Sequence, residues 1–116
     1  MTSPPPNEIR LSSDRRLLTV AFADGSFSLT AELLRVESPS AEVQGHDPSE
    51  KRIVSGKRGV TIAAIEPVGN YAIRLIFDDG HDTGIYSWDV LARLARERDR
   101  LWADYLAALE AHGLAR

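Results

Sequence analysis

The segment from Glu66 to Trp88 restricts the fold of this chain more than any other stretch. Four apolar residues occupy alternate positions along its first half, namely Tyr71, Ile73, Leu75 and Phe77. This period of two predicts a β-strand with one buried face. Asp79-Gly80 then supplies a tight turn, since glycine readily adopts the left-handed backbone that such turns need, and Thr83 to Tyr86 is the predicted return strand. The segment therefore predicts an antiparallel hairpin.

From Trp88 onward the apolar period changes from two to about 3.6, which predicts a helix directly after the hairpin. Ser87 is placed to cap this helix, because a serine hydroxyl accepts hydrogen bonds from the first free backbone N–H groups. Arg98 interrupts the apolar stripe, so we expect a break into two helices near residues 96–99, and Gly113 ends the second helix. The stripe consists of Leu91, Leu94, Ala95, Leu101, Trp102, Tyr105, Leu106 and Leu109.

The first third of the chain predicts a three-stranded meander followed by a short helix. Apolar and polar residues alternate over residues 7–29, and Asp24-Gly25 provides a tight turn. Thr30 is the predicted N-cap of a helix from Ala31 to Val36, which Pro39 prevents from continuing. Together these elements predict an α+β fold: antiparallel sheet, a short helix after the first meander, and a C-terminal helical segment.

Residues 44–59 are polar and rich in residues that break regular structure, which predicts a long surface loop with room for one short strand. Val60 begins the next predicted strand, and Pro67 ends it. Such a loop can carry a basic patch that is simply solvated, or one that receives an acidic partner or a phosphate group. The cations of this patch are Lys51, Arg52, Lys57 and Arg58.

Length and composition exclude several classes of protein. The 116 residues suit one domain, placed at residues 7–112 between a disordered lead-in (1–6) and a tail (113–116). The lead-in lacks the basic and apolar regions of a signal peptide. A net charge of −3 argues against nucleic acid or membrane partners, and no apolar run approaches the roughly 20 residues of a membrane helix. The absence of cysteine excludes disulfides and fits a cytoplasmic protein.

Three segments carry a resemblance to a known family: residues 34–46, Glu66 to Tyr71, and Asp78 to Trp88. Over residues 7–112 the chain resembles the domain-of-unknown-function 971 (DUF971) family, also called the gamma-butyrobetaine-hydroxylase-like N-terminal domain, in its standalone form. The resemblance implies an α+β domain. In the full-length hydroxylases such a domain precedes a catalytic domain that uses iron and 2-oxoglutarate, and it contributes to assembly. In some plant plastid proteins a similar domain follows an iron–sulfur carrier ATPase.

The same resemblance identifies four positions that hold a structural zinc in the hydroxylases. Their ligands are three cysteines, in a Cys-Pro-Cys-x-x-Cys frame, and one histidine. Here the frame contains Ser38, Ser40 and Val43, and the histidine corresponds to His81. Hydroxyl groups are poor zinc ligands, and a valine offers none. We therefore expect no structural zinc and a fold that its apolar interior stabilises.

His81 and His46 form the candidate ligand site. The resemblance places segment 38–43 beside His81, and His46 follows that segment by three residues. Two imidazoles with a neighbouring aspartate could bind a divalent transition metal; the alternative is two loop histidines with local hydrogen bonds. The chain has no His-x-Asp or His-x-Glu pair of the kind that iron oxygenases use, and we expect neither an enzyme nor a required cofactor.

Trp102 and Tyr105 are the candidate contact residues for a protein partner. Both lie in the apolar stripe, where core packing is the alternative, but these two residue types also dominate interface hot spots. The sequence thus predicts a non-catalytic binding or accessory module that acts through a protein partner or by self-association, for example as a homodimer. The second hypothesis is a metal- or small-ligand-binding protein that uses His46 and His81.

Overall fold

The computed structural model describes residues 4–116. Its first sheet is an antiparallel meander in the order β1-β2-β3, which confirms the prediction for residues 7–29. The strands are β1 (Glu8–Leu11), β2 (Leu17–Phe22) and β3 (Gly25–Thr30). Alternate residues of β2 face inward: Leu18 and Val20 are fully buried, while their neighbours are not.

A second antiparallel sheet, in the order β4-β5-β6, contains the predicted hairpin. Its strands are β4 (Ile62–Val68), β5 (Ala72–Phe77) and β6 (Gly84–Ser87). Pro67 does not end β4 as predicted, since this is an edge strand, where a residue without an N–H group is tolerated. Tyr71 is also not on the buried face: it belongs to the turn before β5 and is 57% exposed.

Two short helices follow the first sheet. α1 (Ala31–Val36) begins as predicted, with the Thr30 hydroxyl accepting a 3.1 Å hydrogen bond from the Leu33 N–H. α2 (Ala41–Gln44) was not predicted; Ser40 caps it through a 3.1 Å hydrogen bond from the Glu42 N–H. The loop that follows contains a single turn of 3₁₀ helix, Pro48–Glu50, and no strand, so the short strand allowed for residues 44–59 is absent from the described part of the chain.

The C-terminal helix α3 (Trp88–Ala111) is continuous over 24 residues, and the predicted break near residues 96–99 is wrong. Arg98 stays in the helix because its guanidinium lies 5.7 Å from the centre of the Phe27 ring and its side chain remains 40% exposed. An arginine side chain can cover apolar surface while part of its charged group reaches water, and here the Nη1 atom of Arg98 is buried. The predicted helix start is confirmed, since the Ser87 hydroxyl accepts a 3.2 Å hydrogen bond from the Val90 N–H.

The apolar interior lies between the two sheets and α3, which contacts β3 of the first sheet and β6 of the second. The turn between β1 and β2 joins the sheets directly, because the Ile62 N–H donates to the Arg15 carbonyl at 2.9 Å. Eight apolar side chains of this interior have no exposed surface: Leu18, Val20, Leu34, Ile62, Leu75, Tyr86, Leu91 and Leu94. The fold is therefore α+β, as predicted, with an extensive apolar core.

The structure describes part of the predicted lead-in and all of the predicted tail. Residues 1–3 lie outside the described part, and residues 4–6 have no regular secondary structure. Residues 113–116 pack back on the domain, because the Gly56 N–H donates to the Ala115 carbonyl at 3.0 Å and Arg116 pairs with Glu32 at 2.8 Å. Across residues 4–116 no helix combines the length and apolar character that crossing a membrane requires.

Candidate functional site

A buried polar cluster joins the end of α1 to the loop between β5 and β6. The Ser38 Oγ atom lies 2.9 Å from His81 Nε2 and also accepts a 3.3 Å hydrogen bond from the Ser40 N–H. Ser38 has no exposed surface, and His81 is 7% exposed. Beside them, the Tyr86 hydroxyl donates to the Leu34 carbonyl. The structure thus places segment 38–43 beside His81, where the family resemblance put it.

One assignment of hydrogens satisfies the cluster. The Ser38 hydroxyl donates to His81 Nε2, and the Nδ1–H of the ring points to a Glu42 carboxylate oxygen 3.4 Å away. Burial lowers the pKa of His81, and the positive charge of Arg35 lowers it further, against the opposing effect of Glu42 and Asp79. His81 is therefore a neutral imidazole at neutral pH.

The residues at the zinc positions do not fit zinc. Val43 offers no ligand atom, and a direct hydrogen bond already joins Ser38 Oγ to His81 Nε2, the two atoms that an ion would have to separate. The Ser40 hydroxyl is engaged as the cap of α2. The donor chemistry at these positions is that of a hydrogen-bonded cluster.

An ion cluster lies against the polar one and was not predicted. One carboxylate oxygen of Asp79 accepts from Arg35 Nε at 2.8 Å and from Lys57 Nζ at 2.6 Å, and the other accepts from the His81 N–H at 3.0 Å. Burial opposes ionisation of Asp79, but these three donors outweigh it and hold the pKa of Asp79 well below its usual range. The Nη1 atom of Arg35 is buried and has no hydrogen-bond partner within residues 4–116.

A cavity of about 340 Å³ opens beside His81, between α1, α2 and the long loop. Five of its lining side chains are polar or charged: Arg35, Glu42, Arg52, Lys57 and His81. The remaining lining is apolar and comes from Val43, Ile53 and Val54. Polar and charged side chains thus form most of the wall, and the volume lies at the lower end of the range for small-ligand sites.

His46 does not share this cavity. It is exposed and lines a separate depression formed by residues 44–48 and Lys51. Within the described part of the chain, no three His, Cys, Asp or Glu side chains come together in a way that could hold a metal ion. The structure thus brings His81 to a candidate ligand site but does not bring His46 to it.

Trp102 and Tyr105 contact each other and the rest of the chain. Their ring centres are 5.4 Å apart, and the Tyr105 hydroxyl donates to the Val54 carbonyl at 2.6 Å. Tyr105 is only 6% exposed, and the guanidinium of Arg116 lies 5.0 Å from the Trp102 ring centre. Both residues therefore hold the long loop and the C-terminal residues against α3, and Tyr105 has little surface left for a partner.

Comparisons with known proteins identify relatives over nearly the whole chain. The sequence pattern described as "Gamma-butyrobetaine hydroxylase-like, N-terminal" matches residues 9–92. Two solved structures, each described as the NMR solution structure of a protein, are 47% and 50% identical, with TM-scores of 0.85 and 0.83. Both alignments cover 98% of this chain, and they cover 90% and 86% of the respective relatives.

A crystal structure from Acidithiobacillus ferrooxidans is a further relative, described as a protein with unknown function that belongs to the DUF971 family. It is 43% identical, with a TM-score of 0.66, and the alignment covers 80% of this chain and 98% of that one. No curated protein matches the chain significantly.

Proposed function

Because the chain belongs to the gamma-butyrobetaine hydroxylase-like N-terminal domain family, we propose that it works by binding and not by catalysis. The observation that carries this proposal is the burial of Ser38. Ser38, His81 and Glu42 have the connectivity of a hydrolase triad, in which a serine contacts a histidine that an acid orients. A nucleophile must reach a substrate, however, and Ser38 has no exposed surface.

The packing around the Ser38 hydroxyl supports the same conclusion. The chain passes so close that a Cβ atom added at Gly84 would lie 2.8 Å from Ser38 Oγ and 3.0 Å from a ring carbon of Tyr86. A tetrahedral acyl intermediate needs open space at this atom together with hydrogen-bond donors for its oxyanion. The Ser40 N–H nearby donates to Ser38 itself. Ser38 and His81 therefore have a structural role.

A fluorophosphonate probe, which forms a covalent bond with activated serines, tests this proposal. We expect no labelling of the native protein, while a serine hydrolase in the same tube is labelled. We also expect Ser38→Ala to lower stability, whereas Ser26→Ala, at an exposed position of β3, leaves it unchanged. Stoichiometric labelling of Ser38 in the native protein would show that the cluster is catalytic.

The binding function that we propose is contact with a protein partner or with a second copy of the chain. Two exposed apolar side chains support this role: Tyr71 is 57% exposed, and Ile85 is 45% exposed. Ile85 lies on β6, an edge strand of the second sheet, and edge strands present free backbone groups to which another chain can pair.

Light scattering over a range of protein concentrations tests self-association. We expect the mass to rise with concentration, and we expect Ile85→Lys to abolish the rise. Leu106→Lys is the matched control, since it adds the same charge at a similarly exposed apolar position on α3. A monomeric mass throughout would exclude self-association and leave a different protein as the partner. That partner can be sought by affinity capture with the same two variants.

A further inference from the structure

We propose that the cavity beside His81 binds a small oxyanion of the phosphate type. Three cationic side chains line this cavity of about 340 Å³: Arg35 from α1, and Arg52 and Lys57 from the long loop. They are separated by up to 22 positions in the sequence, and the fold brings them to one wall. The sequence alone indicated Arg52 and Lys57 only as members of a basic patch.

Arg35 is the buried part of the site. Its Nε donates to Asp79, but its Nη1 is shut off from solvent and has no hydrogen-bond partner in the described structure. The Asp79 oxygens accept from Arg35 Nε, Lys57 Nζ and the His81 N–H, and they form no hydrogen bond with Nη1. Leaving a buried charged donor without an acceptor is unfavourable, so a rotation of the guanidinium that brings Nη1 to an acceptor in the cavity that Arg35 lines would be favourable.

Arg52 is the exposed part. Its backbone N–H donates to the Val43 carbonyl at 2.7 Å, which fixes the residue at the cavity rim. Within residues 4–116 its side chain forms no ion pair, so its charge is available to a ligand. Its charge can therefore be removed by a substitution without breaking an ion pair of the described structure.

The charge balance favours an anion. The carboxylates that face the three cations are Asp79, which is shared between Arg35 and Lys57, and Glu42, whose side chain is 66% exposed and accepts from the Thr83 hydroxyl. Three cations against two carboxylates leave one positive charge, and the exposed carboxylate is the better screened by water. A tetrahedral oxyanion suits this wall, because it can accept from guanidinium and ammonium groups at once.

Nuclear magnetic resonance of ¹⁵N-labelled protein tests the proposal, with chloride used to keep the ionic strength constant. Titrations with inorganic phosphate and, separately, with glycerol phosphate distinguish a free ion from a phosphate monoester. We expect saturable shifts at the amides of Arg52, Lys57 and His81 with at least one of the two. If the monoester binds more tightly, the natural ligand carries an organic group; if inorganic phosphate does, the site takes the free ion.

Two variants of the same loop make the test specific. Arg52→Gln removes a cation that lines the cavity, and Arg58→Gln removes an exposed cation that does not. We expect Arg52→Gln to weaken binding about tenfold, as the loss of one charge-assisted hydrogen bond does, and Arg58→Gln to change it less than about twofold. Absence of saturable shifts, or equal weakening by both variants, would overturn the proposal. The outcome is independent of the proposed protein-binding role, which concerns the exposed side chains of Tyr71 and Ile85, neither of which lines the cavity.

Discussion

Removal of the Ser38 hydroxyl is the most informative perturbation of this fold. Ser38→Ala deletes one oxygen atom from a side chain with no exposed surface. The deletion leaves two buried groups without partners: His81 Nε2, 2.9 Å from the hydroxyl, and the Ser40 N–H, 3.3 Å from it. Since alanine is almost as large as serine, the effect reports on hydrogen bonding and not on a cavity.

The magnitude follows from these contacts. The net contribution of the hydrogen bond to His81 is about 1 kcal/mol, and a buried acceptor left without a donor costs about 1–3 kcal/mol. The Ser40 contact is long and adds little. We therefore expect the free energy of unfolding to fall by about 2–3 kcal/mol. For a chain of 116 residues this lowers Tm by about 10 °C, at roughly 4 °C per kcal/mol.

Urea unfolding followed by circular dichroism measures the loss, with an unchanged m-value showing that the folded and unfolded states remain comparable. A double-mutant cycle with His81→Leu identifies the cause. Removing both side chains leaves neither of them with an unpaired polar atom, and only the long Ser40 contact stays lost, so the double variant should lose less than the sum of the single variants, by about 1 kcal/mol or more. A loss below about 0.5 kcal/mol for Ser38→Ala, or additivity in the cycle, would refute the reasoning.

Four further outcomes are expected from the structure. Gly84→Ala should lower the free energy of unfolding by about 1–3 kcal/mol, because its Cβ would lie 2.8 Å from Ser38 Oγ. Gly59→Ala is the control in the same urea assay, and it should be neutral because its Cβ would have no atom within 4 Å. The pKa of His81 is lowered in the folded state, so the unfolded chain binds a proton at this residue more readily. The contribution of His81 to stability is therefore complete above about pH 6.5 and is lost as the pH falls from there towards the folded-state pKa. His81→Gln should flatten the plot of unfolding free energy against pH below about pH 6.5. An unchanged slope there would contradict this prediction. Tyr105→Phe should cost about 1 kcal/mol and speed amide exchange in the long loop, because it removes the hydrogen bond to a loop carbonyl. A metal chelator should leave Tm unchanged in a thermal melt, and a lower Tm would show that an ion supports the fold.

Local chemistry determined which parts of the fold could be predicted. At Thr30 and Ser87 the capping hydroxyl accepts from an N–H group only three residues further along the chain. Such a local contact can be predicted from the sequence. The positions of Arg98 and Pro67 depend on what lies beside them in three dimensions. Arg98 packs over the Phe27 ring, and Pro67 lies on an edge strand. The residues next to them in the sequence indicate neither contact.

The candidate site divides in the same way. The proximity of Ser38 and His81 could be predicted only through the family resemblance, since 43 positions separate them. The pair of Arg35 and Asp79 is separated by 44 positions and had no such guide. Taken singly, Asp79 is a turn residue and Lys57 a loop cation, which is why an ion cluster between them was missed. The one signal in the sequence was a basic residue, Arg35, in the last turn of the predicted short helix. Basic residues are common at this position of helices, so the signal did not indicate an ion cluster.

The polar cluster explains how these segments stay together without the thiolates that the family resemblance places here. The hydrogen bond from Ser38 to His81 and the ion pair of Arg35 with Asp79 connect α1 and the residues after it to the loop between β5 and β6, and the hydrogen bond from Tyr86 to the Leu34 carbonyl connects α1 to β6. Each contributes only about 1 kcal/mol net, far less than a structural zinc. These contacts are enough to hold the segments together because both segments already pack on a common apolar interior. The polar contacts need only fix the orientation of the segments relative to each other. Because the apolar interior supplies the stability, Arg52, the cavity cation that forms no ion pair in the described structure, is the residue at which a ligand-binding function could be added without loss of the fold.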